Sequence, residues 1–266
     1  MIEKHHAVID GRRIAFQSAG SGHPLVLLHG IGGNAGQWRA QLEGLADDFT
    51  LIAWDTPGYG DSDNPDGDWR MADYAEALAK LLDHLRLDRV HLIGQSWGGV
   101  LAQEFMRKHA ARVRSLVLSD TFPGDACRPE AERNASLQGR LKALETMTPA
   151  KMATSRVSML VPDGTSQAIK DEIEAMLAMI RPSGYRQAAI ALHNSDERDV
   201  LSTIDVPTLV IAGEHDHVVP LHLSQLLANG IPNARLEIIR GTGHLSNQEQ
   251  PDVWNAVVRG FLGGVG

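Results

Sequence analysis

Residues 90–99 read VHLIGQSWGG, and this stretch decides the fold. Residues 90–93 are an apolar run typical of a short buried strand, and residues 100–109 have the periodicity of an amphipathic helix. Glycines on both sides of Ser96 permit a sharp turn between the two elements. Such a turn exposes the serine hydroxyl at the carboxyl edge of a sheet and directs the first N–H groups of the helix toward it. Ser96 is therefore the predicted nucleophile.

Outward from this turn, the chain alternates predicted strands and helices. Strands are predicted at 4–9, 13–18, 24–28, 49–54, 90–93, 113–118, 208–211 and 236–239, and helices at 37–45, 71–85, 100–109 and 253–262. The continuous apolar run at 24–28 is typical of a central strand covered on both faces. Short links between alternating elements predict an α/β fold with a doubly wound, mostly parallel sheet.

The alternation stops at Thr121. From 122 to 197 the sequence predicts only helices and loops, with helices at 130–145, 149–160 and 167–179. We therefore expect residues 1–121 and 198–266 to form the core domain, and residues 122–197 to form a helical lid inserted after the sixth strand. Methionines are frequent in this insertion, where they either fill a helical core or line an adaptable ligand cavity.

Composition limits the classes of function. The chain has 266 residues and a formal charge of −8 without a Lys/Arg stripe, which argues against nucleic-acid binding. Its single cysteine, Cys127, excludes an intramolecular disulfide and suits a reducing compartment. We find no signal peptide and no apolar run of about 18 residues. These features predict a soluble cytoplasmic protein with no membrane partner and leave homo-oligomerisation open.

Polar residues that follow the last two predicted strands supply a base and an acid. The strand at 208–211 is followed by GEHDH (213–217), and the strand at 236–239 is followed by GTGH (241–244). His244 is the predicted general base, and Asp216 would hold its ring in the required tautomer. Glu214 and Asp120 remain alternatives for the acid. His215 and His217 flank Asp216, but no cysteine partners or H-E-x-x-H helix accompany them, so no metal is expected.

An oxyanion hole requires two N–H donors directed at one point. The backbone of Trp97, directly after the nucleophile, is one predicted donor. The backbone of Ile31, in the HGIGG loop at 29–33, is the other. This loop has neither the G-x-G-x-x-G nor the GK[ST] pattern of nucleotide sites. The side chain of His29 is expected to brace the loop.

With these motifs in this order, nearly the whole chain resembles the α/β-hydrolase fold family. The resemblance rests on His29-Gly30, DTPGYGDS (55–62), GQSWGG (94–99), GEHD (213–216) and Gly243-His244. Within the family it is most similar to 3-oxoadipate enol-lactonases and related small carboxylesterases, through RPSGY (181–185) and GTGHLSNQEQP (241–251). The resemblance implies hydrolysis of an ester or lactone through an acyl-enzyme, without metal or organic cofactor, in aromatic compound degradation.

One position and one segment depart from the enol-lactonase pattern. Trp97 stands where methionine is common, and its bulk is expected to contact substrate and narrow the acyl pocket. The lid sequence also differs. A carboxylate-bearing lactone needs a cation in the pocket, for which Arg156, Arg181 and Arg186 are candidates.

Other activities remain open at this point. Carbon–carbon hydrolases of aromatic meta-cleavage products resemble the chain but usually have Asn and Trp where Gln95 and Leu245 stand. A haloalkane dehalogenase would have Asp at position 96. Cofactor-free haloperoxidase or perhydrolase activity would use the same three residues. The alternative that is not primarily an enzyme is a small-molecule receptor that turns over its ligand very slowly.

Overall fold

The computed structural model describes residues 1–265, and within them eight strands form one sheet. The strands are β1 (Glu3–Ile9), β2 (Arg12–Ala19), β3 (His23–Leu28), β4 (Phe49–Trp54), β5 (Val90–Gln95), β6 (Val113–Ser119), β7 (Thr208–Gly213) and β8 (Arg235–Ile239). Their order is β1-β2-β4-β3-β5-β6-β7-β8. Strand β2 pairs antiparallel with β1 and β4, and the remaining pairs are parallel. The predicted fold class is confirmed.

Helices connect the strands and cover the sheet. They are α1 (Arg39–Gly44), α2 (Met71–His84), α3 (Trp97–His109), α4 (Glu130–Thr146), α5 (Pro149–Leu160), α6 (Gln167–Leu177), α7 (Pro182–His193), α8 (Leu221–Gly230), α9 (Ser246–Glu249) and α10 (Pro251–Leu262). No helix in the described part of the chain is both long enough and apolar enough to span a bilayer.

Burial on both faces explains the unbroken apolar sequence of β3. Val26 and Leu28 belong to a core that includes residues of α2, α3 and α8. Leu25 and Leu27 point to the opposite face, into a second core with residues of α1 and α10. Successive side chains of a strand alternate between faces, so a strand between two helical layers is apolar throughout.

The helical insertion, residues 122–197, contributes α4 to α7 between β6 and β7. It has its own apolar cluster, which includes Met152, Ile173 and Tyr185 and also takes in Leu245 from the loop after β8. At Gly184 the backbone of the insertion packs directly against the backbone of the loop after β4. A Cβ at Gly184 would lie 2.0 Å from the carbonyl oxygen of Gly58.

The structure differs from the sequence prediction at helix ends and in helices for which no bounds were predicted. The helix predicted at 37–45 is a 3-10 turn (Ala35–Trp38) followed by the short α1. Helix α3 begins at Trp97 rather than Val100, directly after the proposed nucleophile. Helices α8 and α9 were not among the predicted elements, and no bounds were predicted for α7. The first two differences arise because glycine-rich segments carry little apolar periodicity, although tertiary contacts make them helical.

Candidate active site

Ser96 occupies a strained turn between β5 and α3. Its backbone has φ +53° and ψ −119°, in the left-handed region that non-glycine residues rarely adopt. The turn fits only because a neighbouring glycine lacks a side chain: a Cβ at Gly98 would lie 2.2 Å from the carbonyl oxygen of Leu28. Thr121 Oγ1 donates to the Ser96 carbonyl at 2.6 Å. The surrounding structure thus holds the serine in this conformation.

The predicted base and acid both converge on this serine. His244 Nε2 lies 2.9 Å from Ser96 Oγ. Its other ring nitrogen, Nδ1, lies 2.8 Å from Asp216 Oδ2. The remaining oxygen of Asp216 accepts the backbone N–H groups of Val218 and Val219 at 2.8 and 2.9 Å. When the imidazole is neutral, this arrangement places its proton on Nδ1 and leaves the Nε2 lone pair facing the serine.

His244 is also fixed through its backbone. Its N–H donates to the carbonyl of Leu160, the last residue of α5, at 2.7 Å, and its own carbonyl accepts Gln95 Nε2 at 2.7 Å. The Gln95 side-chain oxygen in turn accepts Gln37 Nε2 at 3.1 Å. Gln37 Oε1 accepts the N–H of Gly30 at 3.2 Å. This chain of amides links the loop after β3 to the histidine loop, a role for Gln37 that the sequence did not indicate.

Electrostatics of the site centre on two carboxylates near one imidazole. Burial lowers the pKa of His244, but the carboxylates of Asp216 and Asp120 outweigh burial and raise it. Asp120 is fully buried, and burial together with the charge of Asp216 raises its pKa to about 7. Its oxygens accept from the N–H of Gly213 and from the hydroxyls of Ser119 and Ser246. Asp120 therefore supports the strand ends, whereas Asp216 contacts the histidine ring.

The two predicted oxyanion donors belong to segments next to the serine: Trp97 follows it directly, and Ile31 lines the same cavity as the serine. The N–H groups of Ile31 and Trp97 form no hydrogen bond to any residue of the described chain. His29 braces the Ile31 loop: its Nδ1 pairs with the Gly30 carbonyl, and its Nε2 accepts the N–H of Thr56. Burial lowers the pKa of His29, which favours the neutral ring that these contacts require.

Above Ser96 the insertion closes a small cavity of about 30 Å³. Its apolar walls come from the insertion and from three core loops and comprise Ile31, Leu160, Met176, Leu177, Val218 and Leu245. Arg140 and Arg156, on α4 and α5, add two cations to the same cavity. A space of this size is large enough to hold water.

Comparisons with known proteins agree with this geometry. A model of the alpha/beta hydrolase fold family matches residues 23–251. The chain belongs to the α/β hydrolase fold family.

Individual relatives of this chain are hydrolases. The poly(3-hydroxyalkanoate) depolymerase of Ectopseudomonas oleovorans is 34% identical over 249 residues, which cover 90% of this chain and 84% of that protein. 3-Oxoadipate enol-lactonase 2 of Acinetobacter baylyi is 28% identical over 241 residues, covering 90% and 88%. A malate-bound thermophilic esterase from Thermogutta terrifontis superposes with a TM-score of 0.91 at 29% identity, with 99% of each chain covered. The resemblance stated from the sequence is confirmed.

Three of the predicted substrate contacts lie elsewhere in this α/β hydrolase. The Trp97 ring is fully buried, and its Nε1 donates to the Ala188 carbonyl at 3.1 Å. Arg181 donates to backbone carbonyls of the loop after β4, which joins the insertion to the core. Arg186 is exposed and lies 3.8 Å from Glu145. These side chains serve packing and surface pairing, because the cavity above Ser96 is lined by other residues.

Arg156 does line the cavity, as the sequence predicted. Its neighbour Arg140 was missed, because nothing in the sequence of α4 distinguishes this arginine from an exposed one.

Proposed function

We propose that this protein is a serine hydrolase that cleaves carboxylic esters or lactones through an acyl-enzyme. The relay from Ser96 Oγ through the His244 ring to Asp216, with contacts of 2.9 and 2.8 Å, carries the proposal. A serine held in a strained turn beside a buried base has no packing purpose. The ester and lactone hydrolases among the relatives support the same class of reaction.

The chemistry follows from the positions of these groups. His244 Nε2 takes the Ser96 proton while Oγ attacks the carbonyl carbon, and the N–H groups of Ile31 and Trp97 stabilise the oxyanion. As the tetrahedral intermediate collapses, His244 returns the proton to the leaving oxygen. Water then attacks the acyl-enzyme, His244 takes one water proton, and the acid leaves as Ser96 regains its hydrogen. Asp216 stabilises the imidazolium in both halves of the cycle.

The helical insertion acts as the lid of this site. Its helices supply five of the residues that line the cavity, Arg140, Arg156, Leu160, Met176 and Leu177, and their movement would enlarge the space over Ser96 for an ester. Among lactones, 3-oxoadipate enol-lactone is the specific candidate, on the likeness to the enol-lactonases.

Steady-state hydrolysis of p-nitrophenyl acetate, p-nitrophenyl butyrate and 3-oxoadipate enol-lactone tests the proposal. We expect multiple turnovers in the parent and losses of about 10³-fold or more in S96A and H244A. Ser158 and His222 are exposed, so S158A and H222A serve as controls that make the same two substitutions away from the site, and their activity should match that of the parent. Active S96A and H244A variants would refute the proposal, and release of one product per protein molecule would indicate a receptor.

A further inference from the structure

A buried carboxylate, Glu249, lies just beyond the loop that carries His244. It is the last residue of α9, five positions after the histidine, and it is 8% exposed. Its Oε1 accepts the N–H groups of Gly243 and Leu245 at 2.9 and 3.2 Å. Its Oε2 also accepts the N–H of Gly243, at 3.1 Å. One carboxylate thus binds the peptide groups on both sides of His244.

The partners of Glu249 are all hydrogen-bond donors. Within residues 1–265 it forms no ion pair, and its one side-chain partner is Thr165, whose hydroxyl donates to Oε2 at 3.3 Å. Burial raises the pKa of Glu249, while the two N–H groups and the hydroxyl act to lower it. An ionised carboxylate has only acceptor sites, so both of its oxygens can serve these donors at once. The chemistry of the side chain therefore matches this particular set of backbone groups.

The histidine loop has little stiffness of its own. Gly241 lies in the left-handed region, with φ +73°. Gly243 packs so closely on the insertion that a Cβ there would lie 2.6 Å from the carbonyl oxygen of Leu160. Glycines leave the backbone before His244 with more conformational freedom than other residues would. The orientation of the imidazole therefore depends on the hydrogen bonds to the backbone around it.

These hydrogen bonds come from both the insertion and the core. The Leu160 carbonyl accepts the His244 N–H, and Gln95 Nε2 donates to the His244 carbonyl, both at 2.7 Å. Leu160 belongs to the insertion, so its contact is lost when the proposed lid opens. Gln95 and Glu249 belong to the core and remain in place. Because Gln95 contacts only the carbonyl, Glu249 is the group that holds N–H groups of this loop whether the insertion is closed or open.

We propose that Glu249 is a positioning residue, which keeps His244 within reach of both Ser96 and Asp216 as the insertion moves. The ring has to maintain two contacts at once, 2.9 Å to Ser96 Oγ and 2.8 Å to Asp216 Oδ2. A displacement of about 1 Å can cost about 10²-fold in rate. Glu249 does not line the cavity above Ser96, so its effect passes through the histidine. This inference rests on the proposed function for the reaction itself.

Steady-state hydrolysis of p-nitrophenyl butyrate separates positioning from substrate binding. E249A leaves both N–H groups without their acceptor, so we expect kcat to fall about 10- to 100-fold. KM should stay within threefold, because Glu249 does not line the cavity. E249Q keeps one oxygen for both N–H groups but turns an NH₂ group toward Gly243, so it should lose only about three- to tenfold. An E249A variant with the kcat of the parent would overturn the inference.

E214Q is the matched control. Glu214 is exposed, and its Oε2 accepts the N–H of Gly241 at 2.9 Å, in the same loop but three residues before His244. The substitution thus changes a carboxylate that also binds a backbone N–H, without touching the peptide groups next to the histidine. The kcat of E214Q should remain within twofold of the parent.

A double-mutant cycle tests whether Glu249 acts through His244. In H244A no base remains to be positioned, so adding E249A should change the residual kcat by less than twofold. Equal losses in the parent and in H244A would indicate a general effect on the fold and overturn the inference. If E249A does not fold, the cycle is made with E249Q, whose three- to tenfold loss in the parent should disappear in H244A.

Proton NMR of S96A variants reports the position of the ring without catalysis. The Nδ1 proton between His244 and Asp216 is buried and should give a downfield resonance that is absent in H244A. Adding E249A should weaken or remove this resonance through exchange with water, whereas adding E214Q should preserve it. An unchanged resonance in S96A/E249A would overturn the inference.

The two proposals fail in different ways. If E249A removes the Nδ1 resonance but hydrolysis does not depend on Ser96, the hydrolase proposal fails and the positioning of His244 by Glu249 stands. If hydrolysis depends on Ser96 and E249A reacts like the parent, the positioning role is refuted and the serine mechanism stands.

Discussion

Replacing Asp216 by asparagine tests the acid end of the relay. One carboxylate oxygen accepts the N–H groups of Val218 and Val219, and the other faces His244 Nδ1 at 2.8 Å. In D216N the amide oxygen is held by those two N–H groups, so the NH₂ group faces the histidine. The reverse orientation sets NH₂ against two N–H donors and costs about 2–6 kcal/mol, at about 1–3 kcal/mol per unsatisfied donor.

The histidine must then accept a hydrogen bond at Nδ1 and carry its proton on Nε2, facing Ser96. An imidazole in this tautomer cannot take the serine proton. We expect kcat for p-nitrophenyl acetate to fall about 10⁴-fold, the effect of the corresponding tautomer change in serine proteases. The fold should survive, since the substitution is isosteric, and circular dichroism and Tm verify this.

D120N is the matched control, because Asp120 is a second buried carboxylate near the same histidine. Its partners include two hydroxyls, which can rotate to suit an amide, so activity should remain within about tenfold of the parent. Asp120 raises the pKa of His244, so D120N should lower that pKa and shift the acid limb of kcat/KM to lower pH. An inactive D120N beside an active D216N would refute the assignment of Asp216 as the acid.

Two further predictions concern the attachment of the insertion. Arg107 contacts the buried carboxylate of Glu197 at 2.8 Å, and burial together with Glu104 raises the pKa of that carboxylate to about 8. Stability therefore falls as pH rises toward 8. R107M also removes the contacts of Arg107 with Glu104 and Asp199 at every pH, so it should lose stability at pH 5.5 and about 1–2 kcal/mol more at pH 8, where Glu197 ionises. Equal losses of Tm at both pH values would contradict this. G184A should destabilise by about 1–3 kcal/mol in urea unfolding, because its Cβ meets the Gly58 carbonyl, whereas G139A, with open space around it, should be neutral or stabilising.

Much of the site could be predicted because it follows from local sequence. Strand β4 and helix α5 have the predicted bounds, since their apolar patterns end at turn-forming residues or at proline. In a mostly parallel sheet, the residues after successive strands meet at one edge. Ser96, Asp216 and His244 each follow a strand directly or within a few residues, so their order along the chain was enough to bring them together.

The charges of the cavity could not be predicted in this way. Arg140, Arg156 and Arg181 all lie in or next to helices of the insertion, and only tertiary packing decides which acids or carbonyls each one meets. Arg181 meets the carbonyls after β4, whereas Arg140 and Arg156 meet a single phenol. An excess of charge is a property of the folded cavity, and no window of sequence contains it.

Helix α5 contacts both the cavity above Ser96 and the loop that carries His244. Arg156 and Leu160 are four residues apart, so they share one face of this helix. The guanidinium of Arg156 enters the cavity, and the carbonyl of Leu160 accepts the N–H of His244 at 2.7 Å. A displacement of α5 that admits substrate therefore also strains the hydrogen bond that holds the base.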